Sequence, residues 1–224
     1  MNRNTAILIF ANSATQEKNR KFFLKSEVLF DALNKEAILK AKQTGLPYFL
    51  VSEKEQSGAT FGERYTNALA SIFDQGFDHV ISIGNDTPQL CSQHILDAAR
   101  EVKRNKAVVG PSKDGGFYLL GIHKSSFNPD LLLQLPWQKV QLLETLLQVF
   151  SQKNIHAKKL QVLQDIDTLE DVQALKDAFY ISGTIRFILC QIASLKVFGT
   201  TYVTNYTFKP RSTQLYNKGS PLAA

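Results

Sequence analysis

Four short runs dominate the reading of this chain: Ala6-Ile7-Leu8-Ile9-Phe10, Pro47-Tyr48-Phe49-Leu50-Val51, Val80-Ile81-Ser82-Ile83 and Ala107-Val108-Val109. Each is apolar almost without interruption, so a strand made from it has no face to offer to water and must be covered on both sides. Between the runs lie segments with apolar residues at helical spacing. The first spans 22–44, where Phe22, Phe23, Val28, Leu29, Leu33, Ala37 and Ile38 recur; the next two span 62–73 and 93–103. Gly45 and Gly76 stop the first two of these. Beyond them, 117–120 returns as a strand from a turn at 111–116, 140–150 reads as an amphipathic helix, 157–163 as an edge strand and 168–179 as a helix. Strands alternating with helices over short connections predict an α/β protein: three layers, α/β/α, on a mostly parallel sheet.

Composition serves mainly to exclude. The chain has two cysteines, Cys91 and Cys190, no CxxC, and four scattered histidines, which rules out a disulfide scaffold and gives no zinc signature. Its formal charge of +6 suggests nucleic acid until it is located. From Ala178 to the end there is no Asp or Glu but there are Arg186, Lys196, Lys209, Arg211 and Lys218; without those five, 21 basic residues face all 20 acidic ones. The main domain is nearly neutral, and no nucleic-acid partner is expected. We therefore read a main domain over 1–179 and a basic, partly helical or disordered extension over 180–224, which is solvated or touches an acidic or membrane surface; its apolar Phe187, Ile188, Leu189, Ile192, Leu195 and Val197 argue for some docking, as an amphipathic helix on the domain or on a partner. The opening apolar run is too short for a signal peptide, and polar residues interrupt 179–198, so a cytoplasmic protein without a transmembrane segment is predicted.

Sheets of this class bind ligands outside the carboxyl ends of their strands, so the residues just past each run are the candidates. Ile83-Gly84-Asn85-Asp86-Thr87-Pro88 puts a carboxylate directly after a strand. Asp86 suits a Mg²⁺ or Mn²⁺ ion that neutralises a diphosphate; it equally suits an Asx-turn capping the next helix. In Ser112-Lys113-Asp114-Gly115-Gly116-Phe117 the Asp-Gly pair reads as a hairpin turn, or as bare backbone that lets a sugar or phosphate approach while Asp114 contacts hydroxyls. In Asp165-Ile166-Asp167-Thr168-Leu169-Glu170-Asp171, a capping box of Thr168 with Asp171 accounts for the helix start and leaves Asp165 and Asp167 open to a second metal contact. Hydrolase-elbow, P-loop and dinucleotide motifs do not occur.

These segments, with Gly62-Glu63-Arg64, Gly110-Pro111 and Pro136-Trp137, lie in an order and spacing that resembles the glycosyltransferase-A-like proteins known as rSAM/selenodomain-associated transferases, relatives of the nucleotidyltransferases. The resemblance covers roughly 56–179. It implies a nucleotide-diphospho-sugar transferase fold, Asp86 as the metal-binding acid, and Asp167 approaching the same Mg or Mn from the last strand-helix junction. Asp114 becomes the candidate catalytic contact to a small-molecule acceptor. Lys18, Arg20, Lys21, Arg64, Gly84, Asn85, Gly115, Gly116 and Trp137 become candidates for binding a nucleotide or nucleotide sugar. One segment departs from the family. The loop after the first strand, 11–23, contains no glycine and no proline, so the phosphates are left to Lys18, Arg20 and Lys21. The predicted function is a metal-assisted glycosyl- or nucleotidyl-transferase. The alternative is a degraded domain of the same fold that acts as a binding or regulatory module.

Overall fold

The computed structural model describes residues 5–104 and 106–199. Its six strands are β1 (Thr5–Phe10), β2 (Tyr48–Val51), β3 (His79–Ile83), β4 (Ala107–Pro111), β5 (Phe117–His123) and β6 (Ala157–Lys159). They form one sheet in the order β2-β1-β3-β5-β4-β6. β1 pairs parallel with β2 and β3, and β4 pairs parallel with β6. β5 runs antiparallel to both of its neighbours, because the turn at 112–116 sends the chain straight back beside β4. The sheet is thus mostly parallel with one reversed strand, and the carboxyl ends of β1, β3 and β4 share an edge.

Among the described residues eight α-helices cover it: α1 (Ala14–Lys18), α2 (Ser26–Gln43), α3 (Phe61–Asp74), α4 (Ser92–Val102), α5 (Pro129–Leu133), α6 (Leu142–Gln152), α7 (Leu169–Leu175) and α8 (Gly183–Gly199). Alternate strand residues serve opposite layers. Ala6, Leu8, Val80, Val109 and Leu120 pack with Leu69, Ile72 and Phe73 of α3 and Leu146 and Phe150 of α6. Ile7, Ile9, Ile81, Val108 and Leu119 pack with Ala37 and Ala41 of α2 and Ile95, Ala98 and Val102 of α4. Both sides of each central strand are therefore dry, as the uninterrupted apolar runs require.

A third cluster joins Leu29, Phe30 and Leu33 of α2 to Val172 and Leu175 of α7 and to Ile185, Leu189 and Ile192 of α8. The first turns of the expected extension thus share apolar contacts with the domain; residues 200–224 lie outside the described part. Among the described residues no helix is long and apolar enough to cross a membrane.

Several elements differ from the sequence reading. α2 starts at Ser26, not at 22, because Lys25 takes a left-handed conformation (φ 61°) and breaks the helical path, leaving Phe22 exposed. The loop after β1 contains α1, opened by the Ser13 hydroxyl accepting from Gln16 N–H. α5 is added where Asn128 caps and Pro129 takes the first turn. β6 stops at Lys159. The capping box of Thr168 with Asp171 is present.

Candidate functional site

The turn after β3 is fixed by backbone and amide contacts. Gly84 N–H donates to the Tyr118 carbonyl (3.2 Å), and the buried Asn85 donates through Nδ2 to Asn34 Oδ1 of α2 (2.7 Å) and to the Asn12 carbonyl (3.5 Å). Asn34 Nδ2 reaches the same Asn12 carbonyl (3.0 Å). Two asparagines thus lock the ends of β1 and β3 to α2, which sets where Asp86 begins. The segment ahead of α7 is tied to the same turn: Ile166 N–H donates to the Asp86 carbonyl (2.9 Å), and the Thr87 hydroxyl bonds the buried Asp165. The candidates on distant segments, Asp86 and Asp167, are thereby brought together.

Between them lies Lys21. Its Nζ donates to Asp167 Oδ1 and to the Ile166 carbonyl (2.7 Å), stands 3.8 Å from Asp86 Oδ2, and sits 5.1 Å from the centre of the Phe30 ring. The Lys21 side chain is only 12% exposed, against 23% for Asp86 and 25% for Asp167. Glu17, which the sequence reading passed over, is buried beside this group and accepts from Asn12 Nδ2 (2.7 Å). Burial pushes its carboxyl above the usual range and the Asp86 charge adds to that, against the pull of Lys21, the Asn12 hydrogen bond and Arg20. Asp86 and Asp167 thus share one inward-facing ammonium, with Glu17 buried close by.

The three basic candidates of the loop separate. Lys21 turns inward; Lys18 is exposed and pairs with Glu27 at the start of α2 (2.7 Å); Arg20 acts on Glu17 through its charge. The amide and hydroxyl of Ser13 are both taken by Glu53, from just beyond β2 (2.7 Å each). Burial raises the Glu53 carboxyl, but the bonds from Ser13 outweigh it and hold the group below its usual range. Both Glu17 and Glu53 follow a strand end, so the rule that found Asp86 points to them as well; Glu17 meets its Asn12 partner locally, whereas the Ser13 contact of Glu53 has no local signal.

The turn after β4 is organised by Asp114, whose Oδ1 accepts from Ser112 Oγ (2.7 Å) and Gly116 N–H (3.1 Å). Gly115 has φ +88°, and a side-chain carbon there would overlap the Val140 carbonyl; its own carbonyl takes Leu143 N–H (2.9 Å). Packing accounts for Gly115 before any ligand is invoked. The turn sits at the same sheet edge as Asp86, because Lys113 N–H bonds the Leu163 carbonyl (3.0 Å), two residues before Asp165. Trp137 donates Nε1–H to the Leu132 carbonyl (2.7 Å) and lies among Phe61, Tyr65 and Phe117, pressed on Gly62, where an added Cβ would come within 2.5 Å of the ring. Arg64 bonds the Ala59 carbonyl (3.1 Å) at the start of α3.

Asp86 and Asp167 fit a hard divalent cation: Mg²⁺ and Mn²⁺ take one or two carboxylates and complete their shell with water and phosphate oxygens. Among the described residues no group of three or more His, Cys, Asp or Glu side chains is placed to hold a metal, so the protein would supply two ligands and the bound substrate the rest.

Residues 17–139, more than half of the chain, match the family described as uncharacterized protein conserved in bacteria (DUF2064). No functionally curated protein matches. Among solved structures, a protein from Desulfovibrio desulfuricans G20, provisionally named a nucleotide-diphospho-sugar transferase, superposes with a TM-score of 0.76 at 21% identity, covering 87% of this chain and 97% of its own. At that identity the match establishes fold alone. Rv0371c from Mycobacterium tuberculosis H37Rv (TM-score 0.47, 14% identity, 77% and 96% covered) and a cytidylyltransferase from Leptospira borgpetersenii serovar Hardjo-bovis strain JB197 (0.45, 15%, 91% and 99%) are too distant to carry an argument.

Proposed function

The chain belongs to the DUF2064 family and has the nucleotide-diphospho-sugar transferase fold, and from that premise we propose that it is a transferase. It binds a nucleotide or nucleotide sugar at the carboxyl ends of β1 and β3 and passes a glycosyl or nucleotidyl group to a small acceptor. One observation carries the reading: Asp86 and Asp167, far apart in sequence, meet within reach of a single ammonium at the sheet edge where such folds take ligands. These two carboxylates would hold Mg²⁺ or Mn²⁺, which supplies charge neutralisation for a diphosphate leaving group.

The other residues act by positioning. Asn85 and Asn34 fix the β3 turn, so Asp86 needs little reorganisation when the ligand arrives. Arg20 and Lys18 bring positive charge to the loop that faces the phosphates. Asp114, on its rigid turn with Gly115 and Gly116, is assigned to the acceptor side, and Arg64 and Trp137 to the flank beyond it. Phosphates held by side chains instead of backbone amides are screened by salt, with a Debye length of about 8 Å at physiological ionic strength. Affinity should accordingly be weak and salt-sensitive.

The engagement of Ser13 N–H and Oγ by Glu53 favours a second reading, a non-catalytic binding module, because those donors at the end of β1 already serve a carboxylate. Calorimetric titration of nucleoside diphosphates and nucleotide sugars, with and without Mn²⁺ at low and high salt, tests both. The transferase reading expects Mn²⁺-dependent binding that is lost in Asp86→Asn and Asp167→Asn, and slow consumption of one sugar nucleotide. Binding without turnover of any donor favours the module; no binding at low salt across all nucleotides overturns the site.

A further inference from the structure

We infer that Lys21 is a tethered cation: it holds Asp86 and Asp167 while no divalent metal is bound and has to withdraw for the metal to enter, so that it sets how tightly the site takes Mg²⁺ or Mn²⁺. The inference rests on the reading of those two aspartates as the cation-holding pair. An ammonium has three N–H donors, and Lys21 Nζ has three acceptors around it, Asp167 Oδ1, Asp86 Oδ2 and the Ile166 carbonyl. Its ammonium stands 5.1 Å from the centre of the Phe30 ring, and the side chain is almost fully enclosed.

The ammonium therefore occupies the space between the two carboxylates that would hold a divalent ion. Two cations cannot share it, since like charges at contact distance in a partly buried site repel strongly and compete for the same oxygens. The attachment suits exchange. Lys21 belongs to the connection between α1 and α2, outside both helices; Phe22 and Leu24 are exposed and only Phe23 between them packs against the third cluster, so apolar packing holds this stretch of backbone at a single point. Metal and lysine are then linked by mass action: whatever Lys21 contributes to holding the pair is subtracted from the affinity for the metal. Phosphate oxygens of a bound nucleotide offer the displaced ammonium a new partner, which makes metal and nucleotide bind cooperatively.

The test uses the full-length protein and Mn²⁺ alone, with bound and free ion distinguished by electron paramagnetic resonance. Lys21→Met keeps an unbranched side chain at this position and removes the charge. It should bind Mn²⁺ roughly tenfold or more tighter than the parent, within the usual range of site-to-site coupling, and adding Asp86→Asn should abolish the gain. Equal or weaker binding by a folded Lys21→Met overturns the inference; if the parent's Mn²⁺ binding is still lost in Asp86→Asn, the aspartate pair itself survives. No Mn²⁺ binding by parent or variant overturns the inference and the pair together. Should Lys21→Met fail to fold, the parent alone decides. Amine acetylation read by mass spectrometry should find Lys21 protected relative to Lys18 without metal and labelled faster with saturating Mn²⁺. Labelling of Lys21 that Mn²⁺ leaves unchanged overturns the inference.

Discussion

Residues 112–116 and residues 12–25 both leave the carboxyl edge of the sheet, the first turning β4 onto β5 and the second joining β1 to α2. In the first, most contacts are local or backbone-made, Lys113 Nζ on Gln164 Oε1 (2.8 Å) being a remote one: Asp114 bonds its own turn, and Gly115 has the conformation and the bare Cα that the Val140 carbonyl demands. In the second, side chains from remote segments complete each group: Glu53 closes on Ser13, Asn34 on Asn12, and Asp86 and Asp167 on Lys21. A turn held by its own backbone is rigid whatever the solvent contains. A loop held by ion pairs and carboxylate contacts answers to pH and salt, which is the property the proposed phosphate-binding role would use.

The contrast can be broken by experiment. The largest effect is expected at Gly115→Val, where a positive φ and a clash with main chain combine; strain and overpacking together should cost roughly 2–5 kcal/mol in urea unfolding. A loss below about 1 kcal/mol would mean the turn yields, and the comparison fails on that side. Glu53→Gln comes next. It removes a charged acceptor from two short bonds in a half-buried place, and about 1 kcal/mol of stability should go with it; a double-mutant cycle with Ser13→Ala should show that the two losses are not additive.

The same carboxylate supplies a pH test. Its folded-state value lies below the unfolded value of 4.5, so its contribution is present above 4.5 and disappears as pH falls through the lowered folded value. Urea midpoints of the parent should therefore drop more steeply on the acid side than those of Glu53→Gln, and parallel curves would contradict the Ser13 contact. The smallest effect is expected at Lys18→Ala. Its pair with Glu27 is exposed, and melting curves should be indistinguishable from the parent's.

The same division separates what the sequence made legible from what it concealed. The strands, the reversed β5 and the capping box at Thr168 were readable because period, Asp-Gly and cap residues are local signals. The position of Asp86 followed from its place after an apolar strand. Lys21 reads from the sequence as a phosphate contact, since a contact spanning 146 residues leaves no trace in spacing; Glu17 goes unread although its Asn12 partner is five residues away. α5 escaped because five residues hold too little periodicity to register. The change of charge near 180 suggests a boundary, while the apolar Phe187, Ile188, Leu189 and Ile192 argue for docking; Ile185 and Leu189 do lie against Leu29 and Phe30, a contact about which charge composition carries no information.

The hydrogen bond from Ile166 N–H to the Asp86 carbonyl has a bearing on how the molecule is made. It and the Lys21 contact with Asp167 close very long loops, the most entropically demanding events on the way to the native state. A chain leaving the ribosome can pair β1, β2 and β3 long before residue 167 has been synthesised, but it has no assembled carboxylate pair until the segment ahead of α7 docks. Metal or nucleotide binding should thus appear with the last phase of refolding, which makes it a reporter of completion instead of an aid to early collapse.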